Sequence, residues 1–293
     1  MHIVIIGAGV VGRATGVSFS RLGHEVTFCD INTAVLRGLA GDGFDVVESC
    51  EVGSYRHDVT MLCIGTPTIR GEIALDDLRS ACETVGIILQ QSTEAHLVVV
   101  RSTVPPGTTE DVLIPILENI SGKAAGRDFR LCHNPEFLRE ASATDDALKP
   151  WIVVIGAYDQ ASGRALHDLY EPGVSPVVIT SVRTSEMVKY TSNLYNATKI
   201  SFTNEIWLAC QQLGIDGDEV MQLVSRSAEA MWHPGYGTKG GYSYGGSCLP
   251  KDTEAFLAFA RQRGLVMTLL EAAVEVNDSM ALENEEAPVW LRQ

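Results

Sequence analysis

A cysteine between a glycine pair and a helix start is the residue in this sequence best suited to nucleophilic chemistry. Cys248 follows Gly245-Gly246-Ser247 and precedes Leu249-Pro250-Lys251-Asp252. Pro250 suits the first position of a helix, where its missing N–H group costs nothing. The helix N-terminus and the charge of Lys251 would both favour the thiolate form of Cys248, which is the nucleophilic form. A buried structural cysteine beside a glycine turn is the alternative interpretation.

A glycine-rich turn near the start of the chain has the pattern of a dinucleotide site. An apolar run that predicts a buried parallel strand leads directly into Gly7-Ala8-Gly9-Val10-Val11-Gly12, and a helical pattern follows. The glycines Gly7, Gly9 and Gly12 would let a pyrophosphate approach the backbone at the helix N-terminus, where Val10 and Val11 lie. The alternative is a glycine turn that only packs strand on helix.

The next strand ends in an acidic residue that indicates which dinucleotide would bind. Asp30 stands 18 residues after Gly12, close to the spacing of the acid that binds the ribose in dinucleotide sites. Its carboxylate would accept a hydrogen bond from the ribose 2′-hydroxyl and repel a 2′-phosphate. Because no Arg or Lys follows at 31–36, the sequence favours NAD over NADP.

Polar residues also stand where two further apolar strands end. Thr66 and Pro67 follow the predicted strand 59–64, and Thr103 follows the predicted strand 96–100. The carboxyl ends of strands in a doubly wound sheet line the ligand crevice, so these residues are expected beside the cofactor. For Thr66 and Pro67 a plain strand-ending turn is the alternative.

Two carboxylates follow the predicted strand 129–132. Glu136 and Glu140 lie in the run Asn134-Pro135-Glu136-Phe137-Leu138-Arg139-Glu140. They are candidates for ordering a water molecule or positioning a nicotinamide ring. A solvated, salt-bridged loop is the alternative, and spacing alone favours it slightly.

The pattern changes to helical after residue 180. Apolar residues from about 185 to 213 predict a helix of roughly 42 Å, which would span two lobes or form a dimer seam. Lys189 and Asn193 lie on one face of it, either as site residues or as part of a solvated face. The later loop 233–244 is rich in Gly and Tyr and suits a sugar or a base, unless it is a surface loop without a ligand.

Composition narrows the class of protein. The chain has 293 residues and a formal net charge of −15, which argues against binding nucleic acid. No apolar run reaches the roughly 20 residues of a membrane span, and Met1 leads straight into a strand, so no signal peptide is expected. Seven scattered cysteines without metal-ligand spacing predict a cytoplasmic protein with no disulfide framework and no metal site.

The alternating pattern predicts an α/β fold in two parts. Residues 1–180 are expected to form a Rossmann-like domain with a doubly wound parallel sheet. Residues 181–293 are expected to form an all-α central domain that contains the long helix and Cys248.

With these residues in hand, the chain resembles the UDP-glucose/GDP-mannose dehydrogenase family. The resemblance covers nearly the whole chain, and its pieces occur in family order. They are the glycine turn 7–12, the strand-end segments 65–68 and 102–105, the carboxylate loop 134–140, Lys189 with Asn193, and the cysteine segment 245–252.

The resemblance implies an NAD-dependent, four-electron oxidation of a nucleotide-sugar primary alcohol to a carboxylate. Cys248 would form a thiohemiacetal and then a thioester, and Lys189 with Asn193 would stabilise the oxyanion. The resemblance also implies that Asp252, Thr103 and Glu140 hold the hydrolytic water. It implies a homodimer through the helix 185–213.

The remaining residues implied by the resemblance bind the cofactor and the substrate. Lys251 would lie near the cofactor, together with the glycine turn, Asp30, Thr66, Pro67 and Thr103. The expected substrate-binding residues are Glu136, Phe137, Leu138, Lys189, Asn193, Tyr242, Tyr244 and Gly245.

The sequence departs from the family pattern in ways that leave open which residues bind the nucleotide of the substrate. Family members usually carry a third, C-terminal domain that holds much of the nucleotide, and this chain ends after the central domain. Val35 stands where many members place a basic residue near the cofactor ribose. Two other functions remain in view, a two-electron hydroxyacid dehydrogenase of the 6-phosphogluconate type and a non-catalytic module that binds NAD or a nucleotide sugar.

Overall fold

The computed structural model describes most of the chain in two compact units. The described residues are 1–49, 51–52, 56–93, 95–170, 175–227, 243–245 and 249–283, without the side chains of 140, 282 and 283. One unit comprises Met1–Ser192 and the other Asn193–Gln293. The division predicted from sequence, between 180 and 181, stays a prediction.

The first unit is built around an eight-stranded sheet. The strands are β1 (His2–Ile6), β2 (Glu25–Asp30), β3 (Asp45–Glu48), β4 (Val59–Leu62), β7 (His96–Val100), β8 (Phe129–His133), β9 (Val153–Ala157) and β10 (Val177–Ser181); β5 (Thr68–Ile69) and β6 (Glu72–Ile73) form a separate hairpin. Among the described residues, the order of strands across the sheet is β10-β9-β8-β7-β4-β1-β2-β3.

Helices connect these strands and cover both faces of the sheet. They are α1 (Val10–Arg21), α2 (Thr33–Gly41), α3 (Asp76–Gln91), a π-helix (Thr109–Leu113) that runs into α4 (Ile114–Ser121), a 3-10 helix (Glu140–Ser142), α5 (Ala143–Leu148) and α6 (Gln160–His167). Two buried apolar clusters lie against the sheet, one containing Val98 and Leu117 and the other Ile5 and Phe28. The predicted α/β fold is confirmed.

The last two strands differ from the expected all-parallel sheet. β9 pairs antiparallel with β8, and β10 runs parallel to β9. The helical part of the connection between β8 and β9 is short, consisting of the 3-10 helix and the six residues of α5. α5 is about 9 Å long, against about 16 Å for a five-residue strand. Because this short helix does not carry the chain back along the sheet, β9 starts at the edge where β8 ends.

A long helix, α7 (Val182–Leu213), begins in the first unit and continues into the second. The second unit also contains α8 (Gly217–Ser227), α9 (Leu249–Arg263) and α10 (Thr268–Glu283). A small core centred on Ala260 and Met267 packs α9 and α10 together with the last turns of α7. The carboxylate of Glu205 accepts hydrogen bonds from the backbone N–H groups of Leu269 and Leu270 and so caps α10. None of the described helices is long and apolar enough to cross a membrane.

Two buried histidines lie at the amino ends of the central strands. The hydroxyl of Thr60 shares hydrogen bonds of 2.7 Å with His57 Nε2 and 2.8 Å with His96 Nε2. Burial and, to a smaller extent, the neighbouring ring of His57 lower the pKa of His96 to about 3. His96 is therefore neutral in the folded protein at neutral pH.

This burial predicts a loss of stability in mild acid. The unfolded chain takes up a proton at His96 below pH 6.5, whereas the folded chain does so only near pH 3, so stability falls across that window. At pH 5 the cost is about 2 kcal/mol from this histidine. Urea unfolding at pH 7 and pH 5 should show that His96→Gln loses about 2 kcal/mol less than wild type between the two values.

The matched control is His167→Gln, since the His167 ring is half-exposed on α6. It should reproduce the wild-type change between pH 7 and pH 5. An unaltered slope in His96→Gln would show that this histidine is not the source of acid sensitivity.

Candidate active site

Four adjacent parallel strands end at one edge of the sheet, and the predicted site residues of the first unit gather there. β1, β4, β7 and β8 run parallel to one another. Their carboxyl ends lead to Gly7, Thr66, Thr103 and Glu136 respectively. In open α/β sheets the crevice outside these ends is where ligands bind.

The glycine turn after β1 uses two of its glycines for packing. Gly7 has a φ of +93°, and a Cβ there would lie 2.6 Å from the carbonyl oxygen of Cys63. A Cβ on Gly12 would lie 1.8 Å from the carbonyl oxygen of Gly7. These two positions therefore exclude any side chain, which lets α1 approach β1 closely.

Gly9 has a different role, because a Cβ at this position would meet nothing within 4 Å. It is the N-cap of α1, no side chain caps this helix end, and Val10 at the first helical position is exposed. Val11 follows in the first turn. An exposed helix N-terminus with this free volume fits the pyrophosphate of a dinucleotide.

Asp30 at the end of β2 faces the glycine turn. Its Oδ2 accepts a hydrogen bond of 2.7 Å from the Ala8 N–H, and its Oδ1 accepts one of 2.8 Å from the Asn32 N–H. The carboxylate is thus fixed at the sheet edge, with acceptor capacity left for a ribose hydroxyl. The turn and this carboxylate together fit NAD.

A hydrogen bond connects the loops after β4 and β7. The hydroxyl of Thr66 donates to the carbonyl oxygen of Thr103 over 2.7 Å. Pro67 follows, and its carbonyl oxygen accepts from the Ala74 N–H. The structure therefore brings the predicted residues Thr66 and Thr103 together through the Thr103 backbone.

A nearly buried ion pair joins α7 to the loop after β8. Lys189 Nζ lies 2.8 Å from Glu136 Oε1, and the two side chains are only 6% and 12% exposed. The other carboxylate oxygen of Glu136 accepts from the Leu138 N–H over 2.6 Å. The ammonium also lies 5.8 Å from the centroid of the Phe137 ring. The predicted residues 136, 137, 138 and 189 thus form one cluster.

A buried polar network beneath this cluster was not predicted from the sequence. Arg101 donates to the Thr15 hydroxyl over 2.8 Å and to Asn134 Oδ1. Tyr170 also donates to Asn134 Oδ1, and Asn134 Nδ2 donates to the carbonyl oxygen of Val154. The sequence did contain a signal for this network, because Arg101 directly follows the apolar run of β7 and an arginine buried at that position requires hydrogen-bond partners.

Five of the seven cysteines are described, and all five are buried and free of disulfides. Cys63 lies close to the glycine turn, but burial raises the pKa of its thiol to about 12. Burial likewise raises the pKa of Cys82 and of Cys132 to about 12. These three residues are thiols at neutral pH and are poor nucleophiles.

The remaining predicted residues lie in the second unit or outside the description. Asn193 stands four residues after Lys189 on α7. Lys251 and Asp252, in the first turn of α9, form an exposed ion pair with each other, and the Tyr244 N–H donates to Asn277. Gly245 has open space around its Cα. Cys248, Tyr242 and the Glu140 side chain lie outside the described residues.

Across the described residues, no group of three His, Cys, Asp or Glu side chains is arranged to hold a metal ion.

Comparisons with known proteins identify the two parts of the chain. The NAD binding domain of the UDP-glucose/GDP-mannose dehydrogenase family matches residues 1–51 and 43–174. The central domain of the same family matches residues 183–279. These matches confirm the resemblance seen in the sequence and the prediction of NAD as cofactor.

Individual relatives agree with the family matches. GDP-mannose 6-dehydrogenase from Pseudomonas syringae pv. syringae is 38% identical over 95% of this chain and 68% of its own length. UDP-glucose 6-dehydrogenase AglM from Haloferax volcanii is 37% identical over 95% of this chain and 70% of its own. The crystal structure of a ternary complex of GDP-mannose dehydrogenase from Pseudomonas aeruginosa superimposes with a TM-score of 0.87 at 33% identity, covering 97% of this chain and 70% of that one.

The contrast between the glycines predicts separable effects on binding and folding. Gly9→Ala should weaken NAD binding at least tenfold, because the methyl group fills the space in front of the helix N-terminus, and should leave the Tm within about 2 °C of wild type. Gly12→Ala should lower the Tm by several degrees, because its Cβ overlaps the Gly7 carbonyl.

Calorimetric NAD titration and thermal unfolding measure the two effects. Gly38→Ala, in α2 with nothing near its Cβ, is the control: it should leave NAD binding unchanged and should not lower the Tm, because alanine favours a helix more than glycine does. Full-strength NAD binding by Gly9→Ala would disprove the assignment of this turn to the pyrophosphate.

Proposed function

Because the chain belongs to the UDP-glucose/GDP-mannose dehydrogenase family, we propose that it oxidises the primary alcohol of a nucleotide sugar to a carboxylate. The substrate is of the UDP-glucose or GDP-mannose type. The observation that carries the proposal is that the ammonium of Lys189 is nearly buried beside Glu136. The NAD-binding turn and Thr103 follow strands that end at the same edge of the sheet. A cation in that place can stabilise an oxyanion formed next to a dinucleotide.

The overall reaction removes four electrons in two steps. One alcohol, one water and two NAD+ give one carboxylate, two NADH and three protons. When bound, NAD+ accepts a hydride in each oxidation. The residues of the chain bind and orient the reactants, move protons, and hold the intermediate between the two oxidations.

Lys189 is assigned the role of stabilising negative charge on the oxygen atom bonded to the reacting carbon. That oxygen carries developing negative charge whenever its proton leaves or a nucleophile adds to its carbon. An ammonium that is already desolvated and held by Glu136 requires little reorganisation to stabilise this charge. Asn193, one turn later on α7, is assigned as a second donor to the same oxygen.

Cys248 is assigned to the capture of the aldehyde formed in the first oxidation. Its thiolate forms an S–C bond to the aldehyde carbon, and the carbonyl oxygen becomes an oxyanion that takes up a proton. The resulting thiohemiacetal carbon is tetrahedral and still carries a C–H bond, so it can be oxidised as the alcohol was. The product of that oxidation is a thioester.

Hydrolysis then releases the acid. A water molecule held by Asp252, Thr103 and Glu140 loses a proton as its oxygen adds to the thioester carbon. The S–C bond breaks, the electron pair returns to sulfur, and the carboxylate leaves. Glu136 supports this network through the ammonium of Lys189.

The other predicted residues are assigned to binding. Lys251 lies with the cofactor residues, and Phe137, Leu138, Tyr242, Tyr244 and Gly245 bind the substrate. The homodimer is assigned to α7, which exposes large apolar side chains along much of its length. They include Leu194, Tyr195, Ile200, Trp207 and Leu208.

The four-electron scheme predicts the stoichiometry and its dependence on Cys248. Wild type incubated with NAD+ and a panel of nucleotide sugars should form two NADH per carboxylate and, in acid-quenched samples, a thioester on the Cys248 peptide. Cys248→Ala should lower acid formation at least 100-fold while retaining NAD binding. Coupled absorbance and mass spectrometry measure all three quantities.

Cys82→Ala, at a buried thiol of α3, is the control and should keep the two-to-one ratio. Undiminished acid formation by Cys248→Ala would disprove the thioester route. One NADH per turnover with an accumulating carbonyl product would instead indicate the two-electron hydroxyacid type of reaction, which also uses Lys and Asn on a long helix.

A further inference from the structure

The first two turns of α7 contact two strand-end loops of the first unit, those after β7 and β8. Ser185 shares a hydrogen bond of 2.8 Å with His133 Nδ1 at the end of β8, and Lys189 pairs with Glu136 beyond it. Between them stands Glu186, which is fully buried and belongs to none of the predicted site residues. A carboxylate at zero exposure requires strong partners.

The partners of Glu186 are backbone N–H groups of the loop that follows Thr103. Oε2 accepts from the Gly107 N–H over 2.5 Å, and Oε1 accepts from the Thr109 N–H over 2.9 Å. Thr109 is the first residue of the π-helix, so the carboxylate occupies the N-terminus of the helical segment 109–121. Each oxygen thus satisfies one donor that would otherwise be buried without a partner.

Gly107, one of the two donors to Glu186, has a left-handed backbone conformation that favours glycine. Gly107 has a φ of +96°, and a Cβ there would lie 2.8 Å from Asp111 Oδ2 and 3.0 Å from Arg183 Nη1. Arg183, at the start of α7, also pairs with Glu110 and Asp111 of the same segment. The loop after β7 is therefore held against α7 by the Glu186 hydrogen bonds and by these two ion pairs.

This loop and this helix each carry one group assigned to the reaction. Thr103 stands four residues before Gly107, and Lys189 stands three residues after Glu186, about 4.5 Å further along the helix axis. We infer that Glu186 is a positioning residue, which fixes the distance between the Lys189 ammonium and the Thr103 loop by anchoring α7 to Gly107 and Thr109. It acts through these groups and does not touch the reacting atoms.

Glu186→Gln tests the inference while keeping the shape of the side chain. The amide has one acceptor oxygen, and its NH2 group would face the second backbone donor, so one N–H loses its partner and a repulsive contact replaces it. The anchor loosens, and Lys189 leaves its buried position part of the time. Glu110→Gln is the matched control, because it removes a charge from the same segment while Arg183 keeps Asp111.

The first readout does not depend on activity. Acetylation by an N-hydroxysuccinimide ester, followed by peptide mass spectrometry, measures the reactivity of Lys189 relative to exposed Lys251. Glu186→Gln should raise the ratio at least threefold, and Glu110→Gln should leave it within twofold of wild type. If Glu186→Gln does not fold, Glu186→Asp, which shortens the anchor by one methylene, is judged by the same criteria.

The second readout rests on the proposed function. The kcat of Glu186→Gln should fall 10- to 100-fold, because displacement of a catalytic group by about 1 Å costs up to that much, and the Kd for NAD should change less than twofold. The double variant Glu186→Gln/Lys189→Ala should be no slower than Lys189→Ala alone, since the anchor acts through the ammonium.

The outcomes separate the two proposals. An unchanged Lys189 labelling ratio, an unchanged kcat in an active protein, or a double variant tenfold slower than Lys189→Ala would each overturn the inference. A wild-type protein without turnover would overturn the proposed function, while the labelling ratio would still decide whether Glu186 positions Lys189.

Discussion

The site of the first unit depends on one ion pair, between the ammonium of Lys189 and the carboxylate of Glu136. Both charges are almost removed from water, and burial of a charge is costly unless it is paired and hydrogen-bonded. The pair meets this requirement because Leu138 donates to the second oxygen of Glu136. Such a pair tolerates little displacement, so the start of α7 must sit at a fixed place on the sheet edge. The contacts of Ser185 and Glu186 with the strand-end loops provide that fixed place.

The parallel order of the central strands explains why residues far apart in sequence meet there. Each βα connection returns the chain so that the next strand ends at the same edge, and four neighbouring strands lead into the loops that contain Gly7, Thr66, Thr103 and Glu136. The three glycines of the turn after β1 differ in whether the packing of the fold requires them. Gly7 and Gly12 are required because backbone atoms occupy the place of a side chain, whereas Gly9 leaves space that the fold itself does not use. The fold alone therefore does not explain Gly9, and a ligand that approaches the helix N-terminus does.

The sequence was sufficient for the features that depend on local pattern. Continuous apolar runs predicted the strands, the polar residue after β8 predicted Glu136, and helical spacing predicted Lys189. It was not sufficient where the partner is remote, because Arg101 binds Thr15 from 86 residues away and Glu186 binds Gly107 from 79 residues away. Strand direction was missed for a similar reason. Apolar runs such as β9 look the same in either direction, and the short α5 connection decides the outcome.

The two ends of the sheet hold different kinds of buried polar group, and this difference bears on function. At the amino ends, His57, Thr60 and His96 pair with one another, and burial keeps His96 neutral. At the carboxyl ends lie charges, among them Arg101, Glu186 and Lys189. Helices of a parallel sheet begin at that second edge, so their N-terminal N–H groups stabilise anions, as those of 107 and 109 do for Glu186. The carboxyl-end edge of the sheet can hold fixed charges out of water, which is the condition for stabilising an anionic cofactor and an oxyanion. The cation Lys189 lies at this edge and is already paired with its counter-ion.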